Sequence, residues 1–98
     1  SNAVALRWTA LEPGRTADSL FALNAARDWP QFREALRTFD VPGQNVVYAD
    51  VDGNIGYQAT GRVPIRASGD ARAPAPGWTG AHAWTGSIPY DAMPYVLN

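Results

Sequence analysis

The chain has 98 residues, a net charge of −1 and a hydrophobic share of 46% that includes four tryptophans, so it suits one small folded domain with a thin core. Eight arginines against nine acids leave no basic face for a nucleic-acid partner, and the lack of cysteine excludes disulfides, thiolate catalysis and cysteine zinc sites. No apolar run approaches a membrane span, so no membrane partner is expected.

Ser1-Asn2-Ala3 has the form of the remnant left by a cleaved expression tag, and the fold is read from residue 4 onward. "VALRWTAL", Val4 to Leu11, carries β-formers with a rough alternation and predicts a strand ended by Glu12-Pro13-Gly14. Thr16 or Asp18 can cap a helix through Ala17 to Ala26, with Leu20, Phe21 and Asn24 expected to face inward.

A second helix is better marked. Asp28 is placed to be its N-cap, Gln31 can return a bond to the cap's own N–H, and Pro30 falls in the first turn, where a missing donor costs nothing. Trp29, Phe32, Leu36 and Phe39 recur at spacings of three and four, an apolar stripe that runs to Val41-Pro42-Gly43. One or two residues between these helices would make an αα-hairpin.

"NVVYADVDGNIGY" then reads as a β-hairpin with strands Val46 to Ala49 and Ile55 to Ala59. A type I turn opened by Asp50, with Gly53 left-handed in a G1 bulge, is one register; a two-residue Asp52-Gly53 turn is the other. From Gly61 onward prolines and glycines replace periodicity. Trp78, Trp84 and Tyr90 point to a segment that hugs a surface rather than a flexible linker.

Little chemistry is legible in the residues themselves. "DVDGN" has Tyr48 and Ala59 where a calcium loop needs its first and last ligands, so the turn reading is preferred and no metal ligand is assigned. His82 stands alone in a loop, and no Ser-His-Asp arrangement can be built around it. Arg62 and Arg66 are expected in surface or interdomain ion pairs, and Asp50 in capping its own turn. A side-chain amide of Gln44-Asn45 would either line a pocket or satisfy a loop.

The segments "ALRWTAL", "ALNAARDWPQFREAL", "QNVVYADVDGNIGYQATGRVPIR" and "PGWTGAHAWTGSIPYDAMPYVLN" resemble, in that order, successive stretches of the penicillin acylase (penicillin amidase) family. The resemblance covers the chain from Val4 to Asn98. It implies N-terminal-nucleophile hydrolases with an αββα sandwich, in which the free N-terminal serine of a second chain attacks the carbonyl of an N-acyl amide. The fold class expected here is therefore α+β: a strand, an αα-hairpin, a β-hairpin and an extended aromatic tail, as part of that sandwich.

By the same resemblance this is an internal segment of the catalytic β chain, with the nucleophile and the oxyanion-hole asparagine outside it and no catalytic residue inside it. Catalytic chains of the family often begin Ser-Asn, then a variable residue and tryptophan; Val4 stands in the tryptophan's place, which favours the tag reading of Ser1. Leu20 and Gln44 fall at positions along the acyl-binding pocket, where Gln44 would make the wall more polar; a plain strand-leading glutamine is the alternative. No cofactor is expected. Residues 70–73, "DARA", lie near where some members offer a carbonyl to a structural calcium in the parent protein. The implied partners are an N-acyl amide substrate and the remaining acylase chains, the implied location periplasmic or secreted. The segment alone is expected to be inactive and to self-associate through unpaired apolar edges. The alternative is a non-catalytic relic or interaction module that keeps part of the fold.

Overall fold

The computed structural model describes residues 2–98; Ser1, the first position of the tripeptide expected to be a tag remnant, lies outside the described residues. The strand expected over Val4–Leu11 does not form. Residues 2–8 pair with no other strand, Thr9–Leu11 closes into a 3-10 turn, and Val4 and Leu6 stay 79% and 73% exposed. The physical reason is the lack of a neighbour, since a strand's backbone groups need another strand to bond. This segment is held instead by side chains, with Arg7 stacked on Trp84 and Glu12 paired with Arg62.

Helix α1 spans Thr16–Ala25. Neither expected cap acts: Arg15 occupies the N-cap position, Asp18 pairs with Arg15, and Thr16 ties the helix to the far end of the next one. Its hydroxyl donates to the Val41 carbonyl at 3.0 Å and accepts from the N–H groups of Asp40 and Val41. The inward face also differs from expectation. Ser19 is wholly buried and donates to the Ala35 carbonyl at 2.6 Å, which turns Leu20 (52% exposed), Phe21 (76% exposed) and Asn24 outward. A small hydroxyl lets the two helices approach closely, and at 100° per residue its immediate neighbours must point away.

Helix α2 spans Trp29–Ala35 and continues as a 3-10 turn over Leu36–Thr38. Asp28 accepts from the Gln31 N–H at 2.9 Å, and Pro30 sits in the first turn as expected. Gln31 returns its bond one residue earlier than expected, to the Arg27 N–H. The apolar stripe is realised, with Leu36 fully buried and Trp29, Phe32 and Phe39 half-buried.

Strands β1 (Asn45–Ala49) and β2 (Ile55–Ala59) pair antiparallel, with Ala49 opposite Ile55 and Val47 opposite Tyr57. That register excludes the two-residue turn. The Gly53 N–H bonds the Asp50 carbonyl, the Asp50 N–H bonds the Asn54 carbonyl, and Gly53 has φ of +86°, as a G1 bulge requires. Tyr48 turns its ring onto Trp29 and Phe32, with centroids 5.3 and 5.0 Å away, and so seats the hairpin on α2.

The tail holds more regular structure than its composition suggests. Strands β3 (Pro64–Arg66) and β4 (Trp84–Ser87) form a separate two-stranded sheet, and β5 (Tyr95–Leu97) adds to β2 to complete the order β1-β2-β5. Tyr90 packs, its hydroxyl donating to the Arg33 carbonyl, and Trp84 lies between Arg7 and Arg66. Trp78 departs from expectation: it is 88% exposed and packs on little of this chain. The molecule is elongated, 58 × 24 × 21 Å, and among the described residues only Ala35, Leu36 and Met93 are buried hydrophobics.

Candidate functional site

Asp50 organises the hairpin turn completely. Oδ1 accepts the N–H groups of Asp52 and Asn54, and Oδ2 accepts the Asn54 side-chain amide and the Tyr48 hydroxyl at 2.8 Å. Both oxygens are committed to the turn, so this aspartate acts as its cap. The Asn54 bonds, side chain first, hold the Asp50 carboxyl below its ordinary pKa. Burial, and then the Asp50 bond, push the Tyr48 phenol up to about 12.

The signs follow. A lowered carboxylate pKa contributes stability present above the unfolded value of about 3.9 and lost as pH falls through the folded one. A raised phenol pKa contributes stability present below the unfolded value of about 10 and lost as pH rises towards about 12. Asp50→Asn is expected to flatten the acid limb of a plot of Tm against pH. An unchanged acid limb would mean that Asp50 carries none of it.

The two residues assigned to an acyl pocket lie on different elements. Leu20 is on the outer side of α1, half exposed. Gln44 precedes β1, its carbonyl accepting from the Thr60 N–H and hydroxyl at 2.9 and 3.1 Å and its N–H donating to the Thr60 hydroxyl. Buried Thr60 thus fixes the Gln44 backbone while the residue itself stays exposed. Neither residue lines the two clefts described next.

One cleft of about 320 Å³ lies between the N-terminal segment and the β3–β4 sheet, lined by Arg7, Glu12, Arg62, Trp84 and Ser87 among others. Arg62 bridges Glu12 at 3.1 Å and Asp40 at 3.4 Å, the ion pair expected of it. Arg66 forms no such pair within the described part of this chain. It is the cross-strand partner of Trp84, so its guanidinium lies 5.9 Å from that ring and makes no ion pair among the described residues. The other cleft, about 290 Å³, is a shallow depression between α1 and α2 lined by Ala22, Ala25, Ala26 and Ala35 with Gln31 and Glu34.

Further polar clusters outside the pocket positions serve the fold. His82 Nδ1 lies 3.3 Å from the Ser68 hydroxyl oxygen, but that hydroxyl donates to the Ala81 carbonyl at 2.7 Å, so it is not poised towards the imidazole. Asp70 is engaged by Arg72, at 3.2 Å, within its own loop. Among the described residues no three His, Cys, Asp or Glu side chains gather as metal ligands, and no helix is long and apolar enough to cross a membrane.

One arrangement has no clear sign in the sequence. Arg33 on α2 lays its guanidinium 3.5 Å from the Tyr95 ring centroid and donates from Nε to the buried Gln58 side chain at 2.8 Å. It thereby bolts β5 and the 3-10 turn Tyr90–Ala92 to the helix layer. The only hint was an arginine one position beyond the apolar stripe of α2.

The family model described as penicillin amidase matches residues 1–98. The chain is 38% identical over 81 residues to penicillin acylase 2 proenzyme of Pseudomonas sp. (strain SE83), covering 83% of this chain and 10% of that protein. It is 36% identical over 96 residues to acyl-homoserine lactone acylase QuiP of Pseudomonas fluorescens, covering 93% of this chain and 12% of the relative. Among solved structures, a thermostable penicillin G acylase from Alcaligenes faecalis superposes with a TM-score of 0.70 at 38% identity, covering 84% of this chain and 15% of that one. The chain therefore spans only about a tenth of the length of these curated relatives. With mixed helices and antiparallel strands laid out as in an acylase segment, and the family match running its full length, the chain belongs to the penicillin amidase family.

Proposed function

We propose that this chain is a structural segment of a larger N-acyl amide hydrolase and does not itself carry the nucleophile. The observation that supports this most is the pairing of a family match along all 98 residues with a span of only 10–12% of two acylase relatives. In this reading α1 and α2 form part of a helical layer, and the β1-β2-β5 sheet part of one sheet of an αββα sandwich. The remaining acylase chains cover the apolar surface left bare at Phe21 and Trp78. The parent is periplasmic or secreted.

The chemistry would belong to the N-terminal serine of the catalytic chain. Its hydroxyl oxygen attacks the acyl carbonyl while the free α-amine, with a pKa near 8, takes the proton. Collapse of the tetrahedral adduct expels the amine, which leaves with a proton, and water then hydrolyses the acyl-enzyme to return serine and the free acid. This segment contributes binding surface. Leu20 offers an apolar contact to the acyl group, and Gln44, with its backbone pinned by Thr60, offers an amide that makes the wall more polar.

The test is hydrolysis of chromogenic acyl-anilides, from phenylacetyl to long-chain, by the protein of the full reading frame. Turnover of at least one linear amide is expected; silence across the panel would sink the hydrolase reading. In the same protein, Gln44→Leu should raise kcat/KM for phenylacetyl relative to polar acyl groups by roughly tenfold, the scale of one altered pocket contact. An unchanged preference order would remove Gln44 from the pocket.

A further inference from the structure

We infer that Thr60 is a positioning residue for acyl selectivity, acting through Gln44, which it holds by both backbone groups; this rests on the reading of Gln44 as pocket wall. In the β1–β2 ladder the hydrogen-bonded pairs fall on every second residue. The Asp50 N–H bonds the Asn54 carbonyl at the turn, and Tyr48 with Gly56, then Val46 with Gln58, continue the alternation. Gln44 and Thr60 come next in that series, one residue beyond the end of each strand. Half of their exchange is regular: the Thr60 N–H donates to the Gln44 carbonyl at 2.9 Å. The other half is not. The Gln44 N–H donates at 3.2 Å to the Thr60 hydroxyl, where a regular ladder would use the Thr60 carbonyl.

A side chain thus stands in for a backbone acceptor, and the cause is the residue that follows. Gly61 turns the chain out of β2 with φ of +108°, and its N–H bonds the Phe39 carbonyl at the end of the helical hairpin. The Thr60 carbonyl goes with that turn and comes to lie against Gly43, 3.3 Å from where a Cβ would stand. The hydroxyl takes its place, accepting from the Gln44 N–H and donating to the Gln44 carbonyl at 3.1 Å. Without it, Gln44 would keep a single bond at a strand end, where ladders fray first.

What the hydroxyl fixes is direction. Side chains alternate along a strand, so Gln44 held in register leaves the sheet on the face of Val46 and Tyr48, the face on which Tyr48 meets α2. Asn45 leaves on the other face, where its side-chain oxygen accepts from the Tyr57 hydroxyl at 2.8 Å. A slip of one residue would exchange the two amides. Thr60 itself is only 4% exposed and is out of reach of an acyl group, whereas Gln44 is exposed. Any effect of Thr60 on substrate choice must pass through Gln44.

The test uses the protein of the full reading frame and the acyl-anilide panel. Thr60→Val keeps the shape and removes the hydroxyl; it should shift the phenylacetyl-to-polar preference in the direction of Gln44→Leu, by roughly threefold to tenfold. The shift should fall on KM with kcat nearly unchanged, because Thr60 meets no reacting group, and Thr60→Ser should restore the original preference. In a Gln44→Ala background Thr60→Val should move the preference no further, since the side chain it directs is gone. An undiminished shift in that background would overturn the inference. So would no shift from Thr60→Val while Gln44→Leu still moves the preference, an outcome that leaves the pocket reading standing. If Gln44→Leu moves nothing either, the pocket reading fails and the inference with it. Amide hydrogen exchange in the unaltered protein needs no variant and stands even if Thr60→Val folds poorly. The Gln44 N–H should exchange far more slowly than an unbonded amide, and exchange at the unbonded rate would overturn the inference.

Discussion

Leu36→Ala is expected to cost about 2–5 kcal/mol and leave the chain largely unfolded at room temperature. Among the described residues Leu36 is the only large hydrophobic side chain that is completely buried. It sits where α2 tightens into its 3-10 turn, on the stripe that continues Trp29 and Phe32. A well-formed domain has only about 5–15 kcal/mol of stability in all, and a small elongated one sits at or below the bottom of that range. Urea denaturation followed by tryptophan fluorescence measures the loss. Leu20→Ala is the matched control: the same deletion at a half-exposed site should change stability by less than about 0.5 kcal/mol. Similar losses at both positions would mean that the core is not where the structure puts it.

Gly61→Ala should be nearly as damaging, for a different reason. Gly61 has φ of +108°, and a Cβ there would lie 2.6 Å from the Gly43 Cα. Its N–H bonds the Phe39 carbonyl and the next N–H bonds Asp40, so this crossing joins the end of β2 to the end of the helical hairpin. The left-handed backbone alone costs a side chain about 1–2 kcal/mol. The clash is with backbone, which cannot swing aside, and adds to that. Gly53 separates the two terms: its φ is +86°, yet a Cβ would meet nothing within 4 Å. Gly53→Ala should therefore show the conformational cost alone, and Gly61→Ala clearly more. Equal losses in the same urea titration would remove the close approach from the account.

What could be read from the residues was what is local. The Asp28 cap and Pro30 lie within a few residues of the helix they start, and the Asp50–Gly53 turn fixes its hairpin through bonds spanning four residues. Tertiary choices were hidden. Ser19 looks like a surface residue, and only its bond to Ala35, across the helical hairpin, turns α1 so that Leu20 and Phe21 face out. The pairing of β5 with β2 joins residues far apart in sequence through three residues following a proline, a stretch that resembles loop. Val4–Leu11 has strand composition and no strand, because composition cannot supply a neighbour. At the candidate site, Arg62 behaves as charge alone suggests, whereas Arg66 lies beside Trp84 because of a cross-strand register that no local pattern announces. Leu20 and Gln44 came from family resemblance; their own chemistry did not single them out.

The central claim is that these residues are scaffold and binding wall for a nucleophile supplied elsewhere in a larger acylase. The most direct measurement places the purified 98-residue chain beside the protein of the full reading frame, at equal concentration, on the acyl-anilide the longer protein hydrolyses best. Turnover by the longer protein is expected, and none above the buffer rate by the short one. Hydrolysis by the 98 residues unaided, abolished by Ser1→Ala, would contradict it and make Ser1 the catalytic serine.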